Sequence, residues 1–229
     1  MPGGYCQASQ VPTAPALSQP PPADAPLPGL PHQPEWSSSA PPPARRAPGD
    51  PPPFTPFQRL ASTQIYDSRW CGLRRDWIRL PDGREQDYHV FEVTNAVAVV
   101  PLTEAGEVLM LWQYRYTHGR SHWEIPAGRI HAEEPPAEAA RRELLEETGH
   151  RAASIEPLPG FFPTNGISAH YAHLYLARGC QRVAELALDP SEQLSVRAVP
   201  RAEVERRLRA GEFADGFTAL ALFYAFTAL

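Results

Sequence analysis

The chain has 229 residues and a formal net charge of -5 at pH 7, enough for one substantial domain and too little for two generous ones. The acidic balance excludes general nucleic-acid binding, which needs a clustered basic face, and no apolar run reaches the roughly 18 residues of a membrane span. Cys6, Cys71 and Cys180 have neither metal-ligand spacing nor a paired framework and fit a reducing cytoplasm, the expected location.

The chain opens on a segment that cannot build a core. Of 28 prolines, 18 lie between Pro2 and Pro56, among alanine, serine and glutamine with few aliphatic residues, so burial cannot offset the entropy of ordering. Residues 1–57 are therefore expected to be a disordered Pro-rich N-terminal segment, with local polyproline II at Pro20-Pro21-Pro22, Pro41-Pro42-Pro43 and Pro51-Pro52-Pro53. A solvated tail is favoured over a docking site for SH3-like partners, and a start codon further downstream would remove the tail altogether. No basic stretch followed by an apolar one marks a signal peptide.

Residues 58–229 form the expected domain. Gln64 to Trp70 and Asp76 to Leu80 read as strands, Pro81-Asp82-Gly83 as a turn, and Gln86 to Val93 as a hairpin partner. Ala96 to Pro101 is a continuous small-apolar run, the pattern of a strand covered on both faces. Val108 to Tyr116 returns as a strand after the turn at Glu104–Glu107, and Trp123 to Pro126 leads through a loop into a helix. Leu174–Leu176 and Leu194–Val199 supply later strands. Pro200 is placed at the first position of a helix that runs to Arg209 and stops at Gly211. The apolar end, from Phe217 to Leu229, reads as a core helix. Strands first, then one acidic helix, then terminal helices predict an α/β fold, a mixed β-sheet flanked by helices.

The acidic helix carries the chemistry. Gly128 to Gly149 reads GRIHAEEPPAEAARRELLEETG, with Pro135 and Pro136 suiting a first turn and Gly149 a left-handed stop. Helical periodicity sets Glu143, Glu146 and Glu147 on one face and Leu144 toward the sheet. Arg142 is spaced to pair with Glu138 and Glu146. A solvated, salt-bridged face is the ordinary fate of such a run. Against it, three carboxylates crowd the negative end of the helix dipole, and Glu143 repels Glu147 one turn on. A divalent cation would remove that penalty, and carboxylate oxygens are what magnesium prefers. The residues alone leave the two readings about even.

Gly128, Glu134, Arg142, Glu143, Leu144, Glu146, Glu147 and Gly149 together resemble the Nudix box, G-x5-E-x7-R-E-U-x-E-E-x-G-U, where U is bulky and apolar. A chance match in a chain of this length is roughly one in a million. His150 departs from the last U, a packing position. The resemblance implies a Nudix-like α/β/α sandwich and a pyrophosphohydrolase that uses Mg2+, with Mn2+ as its substitute. It further implies metal binding by Glu143 and Glu147, with Glu146 as an added ligand or water holder. Arg142 would orient these carboxylates, Glu134 would make an outer contact, and Gly128 would let the loop pass close.

The flanks are similar to those of ADP-ribose pyrophosphatases. Glu124-Ile125-Pro126-Ala127-Gly128 resembles E-[IL]-P-A-G, and Gln113-Tyr114-Arg115 resembles Q-[FY]-R. The resemblance implies a metal contact from the Ala127 carbonyl, substrate binding by Glu124, and a diphosphate or ribose contact from Arg115, whose planar fork suits phosphate. A salt-bridge partner and a solvated strand arginine are the plainer roles for those two side chains. Pro163 falls slightly early for the loop that follows the box. Asp189-Pro190-Ser191-Glu192-Gln193-Leu194 is similar to the loop that carries the general base, which makes Glu192 the candidate base, a surface glutamate its plainer role, and Glu185 the fallback. In that group the N-terminal strands are exchanged across a homodimer and their aromatics stack adenine; Tyr66, Trp70 and Trp77 are available, with core packing the competing role. Other histidines, His118, His122, His170 and His173, lack metal-site spacing.

The expected substrate is a small-molecule nucleoside diphosphate derivative, foremost ADP-ribose, hydrolysed to AMP and ribose 5-phosphate. Another nucleotide-sugar or a dinucleotide such as NADH is the alternative within the family. A non-catalytic ADP-ribose-sensing regulator is disfavoured by the intact box; an adaptor working through the Pro-rich segment is the third reading, and deleting residues 1–57 would cost it its partner while an enzyme kept its turnover.

Overall fold

The computed structural model describes residues 47–227. Of the segment expected to lack structure, only 47–57 fall among these, exposed and without helix or strand; residues 1–46 and 228–229 lie outside them.

The first sheet is a three-stranded antiparallel meander of β1 (Gln58–Asp67), β2 (Gly72–Arg79) and β3 (Glu85–Glu92). Its first strand was expected to run to Trp70. It stops at Asp67 because Ser68 bends the chain: the Ser68 hydroxyl accepts the N–H groups of Trp70 and Cys71, both at 3.2 Å, a serine turn that competes with the ladder. The turn at Pro81–Gly83 closes as read, with Leu80 N–H donating to Arg84 O at 2.8 Å.

The second sheet holds eight strands, β4 (Ala96–Thr103), β5 (Glu107–Arg115), β6 (Arg120–Glu124), β7 (Ala127–Arg129), β8 (His150–Arg151), β9 (Ser154–Phe161), β10 (Ala172–Arg182) and β11 (Leu194–Pro200). Its spine runs β11-β5-β4-β10-β8, with β6 on β5, β7 on β4 and β9 on β10. Strand β4 runs parallel to β10, while the other pairs are antiparallel, so the sheet is mixed as expected. One feature of the ladder positions the site. Strands β4 and β5 pair at Leu102 and Val108 and then diverge, and β6 and β7 fill the fork between them.

Helix α1 (Pro136–Thr148) covers one face of this sheet; α2 (Arg201–Arg209) and α3 (Gly216–Thr227) cover the other. Alternation along β4 explains why both faces can be dry. Val97 and Val99 pack toward Ala139, Ala140 and Leu144 of α1, while Ala98 and Val100 pack toward Ala221, Leu222 and Ala225 of α3. Each fully buried valine or leucine contributes about 1.5–3 kcal/mol, and a small-apolar run is the sequence that can do so on two sides. The result is an α/β/α sandwich. Elements of this sandwich also differ from expectation. Pro200 ends β11 and caps α2 in extended conformation instead of occupying its first turn. Strand β9, unforeseen, contains Pro157 and Pro159 and pairs with β10; proline is tolerated where no second neighbour needs the missing N–H.

The small sheet is tied to the sandwich near β7. Phe91 N–H donates to Ile167 O at 2.8 Å and the Tyr88 hydroxyl to Gly166 O at 2.8 Å. The Arg129 guanidinium lies 5.0 Å from the centre of the Trp70 ring.

Candidate active site

Helix α1 aims its acidic face into the fork. Leu144 and the two alanines turn into the core, which fixes the helix's rotation and leaves Glu143 and Glu147 between helix and sheet. Glu147 is 2% exposed and Glu143 7%. The Ala127 N–H donates to Glu147 Oε2 at 2.9 Å, joining helix to loop. Glu143 lies against Gly128 so closely that a Cβ there would stand 2.1 Å from its carboxyl carbon; glycine is required by this approach. Gly149 ends the helix at φ 71°, its own N–H donating to Leu145 O.

Arg142 organises the cluster. Its guanidinium donates to Glu134 (2.8 and 3.0 Å), to Glu143 (2.6 Å), to Glu146 (3.0 Å) and to the Arg129 carbonyl (2.8 Å). The expected pairing with Glu146 is present. The one with Glu138 is not: Glu138 meets Arg141 at 3.6 Å, and Arg142 reaches back across the loop to Glu134. Glu146 remains the most open of the three late glutamates.

Burial sets the electrostatics. Removal from water pushes the Glu143 carboxyl up to about 7, against the opposing pull of Arg142 and with help from Glu146 and Glu192. Glu147 is raised well above the ordinary range, by burial first and then by the charge of Glu143, with the Ala127 N–H opposing and Glu192 adding. Burial works against the charge of Arg142, but Glu134, Glu143 and Glu146 outweigh it and hold the guanidinium firmly protonated.

Among the described residues, no three acidic, histidine or cysteine side chains are already gathered about one point; Arg142 draws Glu143 and Glu146 to itself. The donor set nevertheless fits a divalent cation. It offers hard carboxylate oxygens, a glycine that keeps the approach clear, and two buried carboxyls whose repulsion a cation would relieve.

These shifts have a sign. A carboxyl raised in the fold binds its proton more tightly than in the unfolded chain, so its stabilising share is present at low pH and lost as pH rises from the ordinary 4.5 to about 7. The metal-free protein should therefore be less stable at pH 8 than at pH 5.5, by about 2 kcal/mol from Glu143. Thermal melts in chelator check this, and Glu143→Gln should reduce the dependence to the share that Glu147 retains.

The fork supplies a second group. Alternation on β5 and β6 puts Gln113, Arg115, His122 and Glu124 on one face. Glu124, 3% exposed, accepts from Arg115 Nε at 2.9 Å on Oε1 and from Nη2 at 2.5 Å on Oε2, while His122 Nε2 lies 3.0 Å from the same Oε1. Held along one edge, Arg115 is left part-exposed with Nη1 unengaged among the described residues. Glu124 thus touches Arg115 rather than open space. Glu192, in the loop before β11, accepts the Asp189 N–H at 2.9 Å and is near enough for its charge to bear on both Glu143 and Glu147. Glu185 is turned outward onto Arg182. His122, set aside in the sequence for want of metal-site spacing, is brought beside Glu124 by strand register.

Comparison with known proteins bears on the fold and the family. The NUDIX domain profile matches residues 93–221, and that of the nucleoside diphosphate sugar hydrolase N-terminal domain matches residues 57–91. The chain is similar to the ADP-ribose pyrophosphatase of Mycobacterium tuberculosis, 35% identical over 161 residues, 69% of this chain and 78% of that one. It is also similar to the ADP-ribose pyrophosphatase of Bacillus subtilis, 30% identical over 166 residues, 72% of this chain and 90% of that one. A CMP-5'-(N-acetyl-N-hydroxy-3-aminopropyl)phosphonate hydrolase of Streptomyces rubellomurinus is 30% identical over 158 residues, 69% of this chain and 76% of that one. A crystal structure of an ADP compounds hydrolase shares the fold, with a TM-score of 0.69 over 78% of this chain and 97% of that one at 20% identity.

Proposed function

Because this chain belongs to the Nudix family and is a pyrophosphohydrolase of the nucleoside diphosphate sugar type, we propose that its substrate is ADP-ribose, hydrolysed to AMP and ribose 5-phosphate. The observation that carries this is the joining of the two elements: Ala127 N–H bonds Glu147, and Arg115 is held by Glu124 three residues earlier. Relatives that are 30% and 35% identical are ADP-ribose pyrophosphatases, which supports the sugar named.

The late glutamates Glu143, Glu146 and Glu147, with the Ala127 carbonyl, would hold Mg2+ or Mn2+, which when bound neutralises diphosphate charge and acidifies water. Arg115 presents its free edge to the diphosphate, a planar donor already oriented by Glu124. Water attacks one phosphorus: its oxygen forms the new P–O bond, the bridging P–O bond breaks, and Glu192 takes the proton. Arg142 keeps Glu143 and Glu146 in place through its hydrogen bonds. Trp70 is half-exposed, with the guanidinium groups of Arg69 and Arg129 over its ring at 4.5 and 5.0 Å; adenine would stack there by displacing one of them.

We also infer a homodimer. Ile65, Tyr66, Tyr88 and Phe91 of the small sheet and Trp70 of the loop between β1 and β2 are exposed, and a three-stranded sheet with so few buried apolar residues is marginal by itself. No helix among the described residues is long and apolar enough to cross a membrane.

A panel of ADP-ribose, other ADP-sugars, a CDP-linked compound and NADH, assayed with Mg2+ for nucleoside monophosphate release, tests the substrate. ADP-ribose should show the highest kcat/KM. If it ranks below NADH or the CDP compound, the substrate named here is wrong.

A further inference from the structure

Between β6 and β7 the chain jogs across the fork at Ile125-Pro126. Backbone accounting there is revealing, because buried N–H groups must find partners. Pro126 has no N–H, and its carbonyl accepts from Val99 N–H at 2.8 Å. The two remaining donors leave in opposite directions. Ala127 N–H goes to Glu147 of α1. Ile125 N–H goes to the Thr218 hydroxyl of α3 at 3.1 Å. The catalytic segment is pinned from both layers of the sandwich by side chains.

Thr218 is 0% exposed, and its hydroxyl is itself held. It donates to Asp215 Oδ2 at 2.7 Å, which also accepts the Thr218 N–H at 2.8 Å. Asp215 is therefore the N-cap of α3, and it fixes the hydroxyl so that its lone pair faces Ile125. Asp215 also adds to the field that keeps Arg115 protonated, behind Glu124 and Glu147. One residue before Ile125 stands Glu124, which orients Arg115; two residues after it stands Ala127, joined to Glu147.

We propose that Thr218 is a positioning residue of the hydrolysis: by holding the Ile125 peptide it sets the placement of Glu124 and Ala127, and with them Arg115 and the cation-binding carboxylate Glu147. This rests on the reading that the glutamates bind a divalent ion. Second-layer hydrogen bonds of this kind are worth about 10–100-fold in metal affinity or activity.

The test compares wild type, Thr218→Val, Thr218→Ser and Leu220→Ala, the last a part-buried residue of the same helix that lines the groove facing α2. Mn2+ affinity is read by electron paramagnetic resonance without substrate, kcat and KM with ADP-ribose, and melting temperature in chelator. Thr218→Val should weaken Mn2+ binding and lower kcat, each by about 10-fold or more, with KM changed less. Thr218→Ser, which keeps the hydroxyl, should recover to within about 3-fold on both. Leu220→Ala should melt earlier yet bind Mn2+ as wild type does. Should Thr218→Val not fold, Thr218→Cys, whose sulfur is a weak acceptor, takes its place. Unchanged affinity and kcat in Thr218→Val, or an equal loss in Leu220→Ala, would overturn the proposal. If wild type takes up no Mn2+, the metal reading fails and kcat alone decides the clamp; if it spares ADP-ribose, the panel substrate it does cleave replaces ADP-ribose in that comparison.

Discussion

Glu147→Gln is expected to lower kcat by about 10³-fold or more while leaving the metal-free protein at least as stable as wild type. The two halves of this expectation come from one fact. Glu147 is nearly fully buried beside Glu143, and both burial and that neighbouring charge work against its ionised form. An amide of the same shape removes the like-charge repulsion and keeps an oxygen to accept the Ala127 N–H, so folding loses nothing. The catalytic loss arises because an amide carries no charge with which to bind a cation. Melting temperature in chelator at pH 8, set beside steady-state turnover in Mg2+, separates the halves. A variant less stable than wild type with turnover intact would mean that the carboxylate is a structural acceptor and nothing more.

Gly128→Ala should have the second largest effect, about 10²-fold in kcat, again with little change in stability. The new Cβ would stand 2.1 Å from the carboxyl carbon and one oxygen of Glu143 and 2.4 Å from the other. Carbon and oxygen atoms do not approach so closely, so the whole carboxylate must swing aside. That is cheap for folding, because it is the far end of a flexible side chain. It is costly for chemistry, since a displacement of about 1 Å can remove two orders of magnitude. Gly149→Ala makes the contrast: its Cβ would meet the Ala184 carbonyl at 2.3 Å at a φ of 71°, backbone that cannot step aside, so stability should fall. Turnover per folded molecule and melting temperature of the two variants, measured together, check the distinction. Equal retention of kcat in Gly128→Ala would remove Glu143 from the site.

Much of this was legible before any coordinates. The helix, its left-handed stop at Gly149 and the inward turn of Leu144 follow from periodicity and the special backbone freedom of glycine. The doubly covered strand β4 follows from its small-apolar run. What escaped did so for physical reasons. Strand β9 carries two prolines, which argue against a strand unless one edge is free. Ser68 ended β1 through a side-chain turn that no hydrophobic pattern signals. Arg142 reached Glu134 across a loop instead of Glu138 along the helix, because the loop brings a second carboxylate closer than helical spacing does. Thr218 lies 93 residues from the peptide it holds, so only the packing of α3 against the fork could reveal it.

The central claim is that Glu143 and Glu147, buried together between α1 and the fork, are a cation site. Titrating the folded, full-length protein with Mn2+ and following the free ion by electron paramagnetic resonance tests it most directly. Saturable uptake that disappears in the Glu143→Gln, Glu147→Gln double variant is the expected result. No uptake by wild type, together with diphosphate hydrolysis that persists in excess chelator, would contradict it.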